Sequence, residues 1–279
     1  MRKVLLLICA VMVISALAAF AGGQKADTTQ PAGKILKAGM ECTYPPFNFR
    51  DSSGNLAGFE VDLSKELGKR INREIVFICQ EWDGILPGLL AGKYDVIIST
   101  LSITPERAKK IDFSIPYRAS TGRFVAPKGA NIKPYNADGT PNPDALKGKS
   151  VGVQRATTHA GYLDAMFPGI NIVRYDQIEN LLLDFQAGRV DLVFHGPIKM
   201  NANFLALPEG KDFEFIGKEI ESVEHFGTGC GIGIRKGNEE LLEEINNALQ
   251  SIIDDGTFEK LNKKYWNFSV LPSAWTVDD

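Results

Sequence analysis

Disulfides cannot carry this fold: the 279 residues hold four cysteines, and only Cys42, Cys79 and Cys230 fall beyond the first 21 positions, too few for a scaffold stapled by bridges. Histidine is equally scarce. His159, His195 and His225 show no metal-ligand spacing, and none lies in a zinc motif or a nucleophile elbow. Glycine-rich phosphate loops of either standard type are missing, and no catalytic set presents itself, so neither a metal nor a cofactor is expected. Basic residues are not in excess. Without Arg2 and Lys3 the 31 basic residues become 29 against 34 acidic, a balance that argues against nucleic acid as a partner.

Only one apolar run approaches membrane length, and it stands at the start. Val4 to Ala18 follows Arg2 and Lys3 and ends in Ala19-Phe20-Ala21, which reads as a cleaved secretory signal over residues 1–21. The run is short for a span of about 20 residues, and Cys9 lies inside it rather than at the cleavage point, against a lipid anchor. Residues 22–33, rich in Gly, Ala, Thr and Gln without an apolar period, read as a flexible tether. What remains is enough for one large or two medium domains.

Strand-like and helix-like runs then alternate. Ile35–Glu41, Ile75–Cys79 and Tyr94–Ser99 read as strands, Val61–Ile71 and Ile85–Leu90 as helices, a pattern of parallel βαβ units and hence an α/β fold. Cys42 and Cys79 each follow an apolar run and meet if those runs pair as neighbours; two buried free thiols are the equal alternative. The chain also repeats itself. Leu86–Ser99 matches Leu182–His195 in character: an apolar helix, Ala-Gly, a basic residue, an Asp, a buried strand. Gly92 and Gly188 suit the left-handed position past a helix end, and Lys93 and Arg189 the negative end of its dipole. Upstream of each copy another strand precedes a polar turn, Ile35–Glu41 before Cys42-Thr43-Tyr44 and Ser150–Gln154 before Arg155-Ala156-Thr157. Two similar lobes follow: lobe 1 over 34–120, lobe 2 over 121–220 with a surface excursion at Pro127–Pro143, and a return to lobe 1 over 221–279. The return carries a strand at Gly231–Ile234 and an amphipathic helix at Glu239–Ile253.

Ligands of open parallel sheets gather past the carboxyl ends of the strands. That places Ser99, Thr100, Ser102 and His195 under suspicion, ordinary turn hydroxyls and a core histidine being the plain alternatives. In Ser102-Ile-Thr-Pro-Glu-Arg107, Thr104 caps a helix that Pro105 opens, and Arg107 carries the wrong charge for a first turn. An arginine fork beside free backbone N–H groups suits a carboxylate; a surface ion pair is the plain alternative. Tyr44, Phe47 and Trp82 at loop tips can flank a flat or aliphatic group, and Glu41 favours a cationic one.

These residues fall into a familiar order. Gly58-Phe-Glu-Val-Asp-Leu-Ser-Lys-Glu-Leu-Gly-Lys-Arg-Ile71 resembles the signature of the bacterial extracellular solute-binding proteins of the polar amino acid type (family 3). So do Tyr44-Pro-Pro-Phe47, Trp82–Pro87, Ser102–Arg107, Asp112–Tyr117, Gly152-Val-Gln, Ala187–Asp191 and Asp255–Phe258, together covering most of the chain. Gly39–Tyr44, Gln80–Gly84 and Gln154–His159 are most similar to the basic amino acid and opine branch. The resemblance implies a two-lobed, type II periplasmic-binding-protein fold with a two-stranded hinge, here near Tyr117–Phe124 and Glu221–Gly227. It implies a monomeric, non-enzymatic protein of the periplasm that delivers an amino-acid-like ligand to the membrane subunits of an ABC transporter. Carried over by position, Tyr44 and Trp82 pack on the ligand, Ser99, Thr100 and Ser102 hydrogen-bond it, and Arg107 holds its carboxylate. Thr157, Thr158 and His159 are the second lobe's share. The family aspartate that grips an α-ammonium is replaced here by Gly196, so either Glu41 or another acid takes that role or the ligand lacks a free primary amine. A dehydratase on the same fold is the enzymatic alternative.

Overall fold

The computed structural model describes residues 34–272; the signal and tether expected over 1–33 lie outside them. The chain begins with β1 (Lys34–Met40), β2 (Thr43–Tyr44), β3 (Asn48–Arg50), β4 (Leu56–Ala57), α1 (Phe59–Arg70), β5 (Arg73–Cys79), α2 (Trp82–Leu90), β6 (Val96–Ile97), α3 (Pro105–Ala108) and β7 (Ile111–Phe113). A second set follows: β8 (Gly122–Pro127), β9 (Ser150–Gln154), α4 (Thr158–Met166), β10 (Asn171–Tyr175), α5 (Ile178–Gln186), β11 (Leu192–His195), α6 (Pro197–Met200), β12 (Phe213–Ile220) and α7 (Val223–Phe226). The chain closes with β13 (Gly233–Arg235), α8 (Glu239–Asp254) and α9 (Thr257–Lys263).

Two five-stranded sheets result, ordered β5-β1-β6-β13-β7 and β10-β9-β11-β8-β12. In each the first three strands are parallel, and the fourth runs antiparallel to both of its neighbours. The sequence repeat is visible as geometry: α2–β6 and α5–β11 each deliver the third strand of their sheet, beside β1 and β9. Gly92 and Gly188 both adopt positive φ, 75° and 71°, where their helices end, which an L side chain resists. The second sheet is built from consecutive strands, whereas the first also takes in β13, which returns from the far end of the chain.

Both sheets are covered on two faces, as parallel-rich sheets require. In the first lobe Leu36, Ala38, Val96 and Ile98 pack with Phe59 and Leu63 of α1 and with Leu241, Ile245 and Leu249 of α8, while Ile85, Leu89 and Tyr94 cover Ile97 from the other side. The burial of Leu241, Ile245, Ala248, Leu249 and Ile252 follows one stripe of a 3.6-residue helix. The second lobe has the same two-sided plan, with Phe124, Val153, Leu163 and Phe194 in one cluster and Val125, Leu181, Phe185 and Val193 in the other. Cys42 and Cys79 are joined in a disulfide with Cα atoms 5.5 Å apart, because β1 and β5 run side by side in a register that pairs Met40 with Cys79.

Some expectations are corrected. Trp82 opens α2 rather than standing on a loop tip. The strand expected over Tyr94–Ser99 pairs only at Val96–Ile97. The Pro127–Pro143 excursion is anchored, since Tyr135 is buried against Phe124 and Phe167. Glu221–Gly227 is not a strand: Ser222 caps the short α7 by accepting from the His225 N–H at 3.3 Å, and Phe226 is buried in the second lobe's core. The return crossing therefore falls later, where Cys230 bridges to Ser102 and Arg118.

Candidate functional site

Turns leaving β1, β6, β9 and β11 converge between the two sheets on a small, partly open cavity. Glu41 follows β1, Thr100 and Ser102 follow β6, Gln154 ends β9, and His195 ends β11. Tyr44, Trp82, Arg107, Thr157, Thr158 and His159 also line it, and all of these except Gln154 are candidates drawn from the sequence. Ser99, another such candidate, does not line it. Its hydroxyl lies behind the wall, accepting the Glu41 N–H at 3.1 Å, so it shapes the turn instead of facing the cavity.

Arg107 is placed by local chemistry. Thr104 Oγ1 accepts the Arg107 N–H at 3.3 Å and starts the single turn of α3. The guanidinium donates from Nη1 to Ser102 O at 3.0 Å and from Nη2 to Ala156 O at 3.4 Å, and lies 5.6 Å from the Trp82 ring centroid. No acidic side chain among the described residues forms an ion pair with it. Burial pulls its pKa down to about 10, so it stays cationic at neutral pH. Ala156, at φ 58°, turns its carbonyl toward both Arg107 and the Trp82 indole N–H, which donates to it at 3.1 Å; Thr100 too is left-handed, at φ 45°. Such conformations are uncommon outside glycine and cluster at sites.

Glu41 occupies the other side. It is buried, accepts from Gln154 Nε2 at 2.8 Å across the lobes, and has its pKa pushed up to about 7 by burial, against the opposing pull of Gln154 and the Lys199 charge. His159 and His195 stack with centroids 4.7 Å apart. His159 Nε2 donates to Thr121 O at 3.0 Å, and burial holds its pKa down at about 4. His195 Nδ1 accepts the Gly196 N–H at 2.7 Å, which leaves the proton on Nε2. Among the described residues, His195 Nε2 and Arg118 Nε are the buried side-chain polar atoms without a hydrogen-bond partner. Both residues line the cavity. At Gly196 an added Cβ would meet nothing closer than 3.7 Å, so space is not what excludes a side chain there.

Several lining or supporting groups escaped sequence reasoning. Gln154 was detectable, since it ends a strand facing the cleft. Arg118 carries no local signal beyond following Asp112–Tyr117. Glu60, inside the signature segment, is fully buried and supports the β6 turn, accepting from Thr100 N and Asn48 Nδ2 at 2.5 Å each and from the Tyr117 hydroxyl. No cluster of metal-binding side chains occurs among the described residues, and no helix there is long and apolar enough to cross a membrane.

Comparison with known proteins agrees with this architecture. Residues 36–268 match the model of the bacterial extracellular solute-binding proteins, family 3. The chain is 38% identical over 262 residues to the histidine-binding periplasmic protein of Escherichia coli K12, covering 93% of this chain and 97% of that one. It is 34% identical over 247 residues to the L-arginine-binding protein of Pseudomonas aeruginosa, covering 88% and 93%. The solved structure of an ancestral arginine-binding protein bound to arginine superposes with a TM-score of 0.75 at 34% identity, covering 84% of this chain and 98% of that one. The chain belongs to family 3 of the bacterial extracellular solute-binding proteins, and its fold is the two-lobed type II periplasmic-binding-protein fold.

Proposed function

We propose that this protein captures a cationic amino acid in the periplasm and presents it, as a monomer in a closed form, to the membrane subunits of an ABC transporter. The observation that carries the reading is Arg107: a half-buried guanidinium on the cavity wall without a carboxylate of its own among the described residues. An α-carboxylate supplies the missing partner in two parallel hydrogen bonds, flanked by Thr100, Ser102 and the Thr157–His159 turn. Glu41 takes the cationic side chain, and Tyr44 and Trp82 enclose the aliphatic part between. Relatives named for histidine and arginine support the ligand class. The role is binding without catalysis, with release of an aromatic keto acid as the assay for the enzymatic alternative. A thermal-shift screen of ligand-stripped protein tests the main reading. A true ligand at a hundred times its Kd raises the melting point by about 5–10 °C, and the shift disappears in Arg107→Ala; no shift with any amino acid sinks the reading.

A second reading has its own observation. Gly196 offers no acid for an α-ammonium, while the Arg118 Nε–H and His195 Nε2–H donors lack acceptors. A buried donor without a partner costs about 1–3 kcal/mol, and an acid-bearing substituent on the α-nitrogen, as in an opine, would supply acceptors. Gly196→Asp separates the two ligands. The variant is expected to gain at least about tenfold in affinity for arginine and to lose affinity for an opine by like-charge repulsion. Unchanged affinity for both contradicts the role given to position 196.

A further inference from the structure

We infer that Lys199, which lies outside the cavity lining, is an inter-lobe latch that holds the closed form and sets how slowly a ligand leaves. Lys199 belongs to α6 of the second lobe and is only 1% exposed. An ammonium carries three N–H donors and no acceptor, and its burial is costly unless every donor is used. Here each is used. Nζ lies 3.3 Å from Thr43 O in the first lobe, 3.2 Å from Glu179 Oε1, and 3.0 Å from Asn203 Oδ1 once that amide is oriented so both of its atoms are paired. In that orientation Asn203 Nδ2 also donates to Pro45 O at 2.8 Å. The ammonium stands 4.6 Å from the Tyr44 ring centroid as well, within range of a cation–π attraction.

One side chain and its neighbour thus grip Thr43, Tyr44 and Pro45 of the opposite lobe. The partners divide by lobe. Glu179 and Asn203 travel with Lys199, so those contacts survive opening, whereas the contacts to Thr43, Pro45 and the Tyr44 ring exist only when the lobes meet. A contact made in one state alone shifts the equilibrium toward that state. Besides the cavity-wall contacts of Gln154 with Glu41 and of Ala156 O with Trp82 and Arg107, two further cross-lobe pairs sit at the rim: Arg155 with Asp83, at 46% and 40% side-chain exposure, and Gln177 with Glu81 at 3.1 Å. Exposed pairs of this kind contribute little. Lys199 does not face the cavity, so among ligands of one charge it adds the same increment and leaves their ranking alone; toward cationic ligands as a class its charge also acts through Glu41.

Lys199→Met keeps the apolar stem and removes the donors. With L-arginine as the probe, the variant is expected to bind about tenfold more weakly, the equivalent of one charged hydrogen bond. The loss should appear in the dissociation rate, with association and the order of affinities among cationic amino acids unchanged. In the ligand-free protein, distances between spin labels on the two lobes should show a smaller closed fraction than in the wild type. That measurement needs no ligand, so it decides the latch even if L-arginine proves not to bind. Wild-type dissociation and an unchanged closed fraction would overturn the proposal, as would an altered order among cationic amino acids, which would make Lys199 a ligand contact. Should Lys199→Met fail to fold, Asn203→Ala at a partly exposed position removes the Pro45 bond and one acceptor; a smaller shift in the same direction is expected, and an unchanged closed fraction contradicts the latch.

Discussion

A carboxyl group that is half-protonated at neutral pH gives the cleft a chemical signature of its own. Glu41, with its pKa pushed up to about 7 from an ordinary 4.5, holds its proton more tightly in the fold than in the unfolded chain. Its contribution to ligand-free stability is therefore present below pH 4.5 and lost as pH rises through about 7. A cation bound beside it reverses the preference, because only the ionised form attracts positive charge. Affinity for a cationic amino acid should fall about tenfold from pH 8 to pH 6, with about one proton released per ligand at pH 6. Calorimetry in buffers of different ionisation heat measures that proton directly, and Glu41→Gln should abolish the slope. The cleft histidines do not interfere: His159 titrates near 4 and burial holds His195 low as well. A pH-independent affinity would show that the ligand's cation does not meet Glu41. Residue-scale chemistry was only partly readable from the chain. Arg107 advertised itself by a wrong-sign charge in a capped turn, whereas Arg118 and Lys199 are single cations whose burial depends on residues far away in sequence.

At the scale of elements, the internal repeat was the most informative signal, since Leu86–Ser99 and Leu182–His195 deliver equivalent strands to two sheets of one design. Long periodic helices were also plain; α8 spans Glu239–Asp254 with its apolar stripe inward. Failures occurred where tertiary contacts overrule local pattern. α2 begins at Trp82, three residues before its apolar run, and Phe226 draws α7 into the second lobe's core where extended chain was expected. Whether Cys42 and Cys79 meet depended on β1–β5 register, which periodicity leaves open. The bond closes a separation of 37 residues, so replacing both cysteines by alanine is expected to cost about 2–4 kcal/mol of stability. Chemical denaturation checks it, and since neither cysteine lines the cavity, ligand affinity should change far less than stability. A loss of affinity with stability intact would mean that the β1 turn carrying Glu41 depends on the bridge.

Across the whole molecule, the same contacts that build the site also join the lobes. Gln154 reaches Glu41, Ala156 O receives both Trp82 and Arg107, and Lys199 reaches Thr43. On the proposed reading, a ligand between Arg107 and Glu41 would be held by the first lobe at both ends, and the second lobe would close over it with Thr157–His159. Binding energy then favours the closed form, which a transporter can distinguish from an open one. Small-angle scattering on the ligand-stripped protein, with and without saturating L-arginine, tests this claim most directly, with Arg107→Ala alongside. The account predicts a smaller radius of gyration on adding arginine to the wild type and none in the variant, whose affinity should drop about a hundredfold or more. Bound arginine with no compaction, or full compaction in Arg107→Ala, would contradict it.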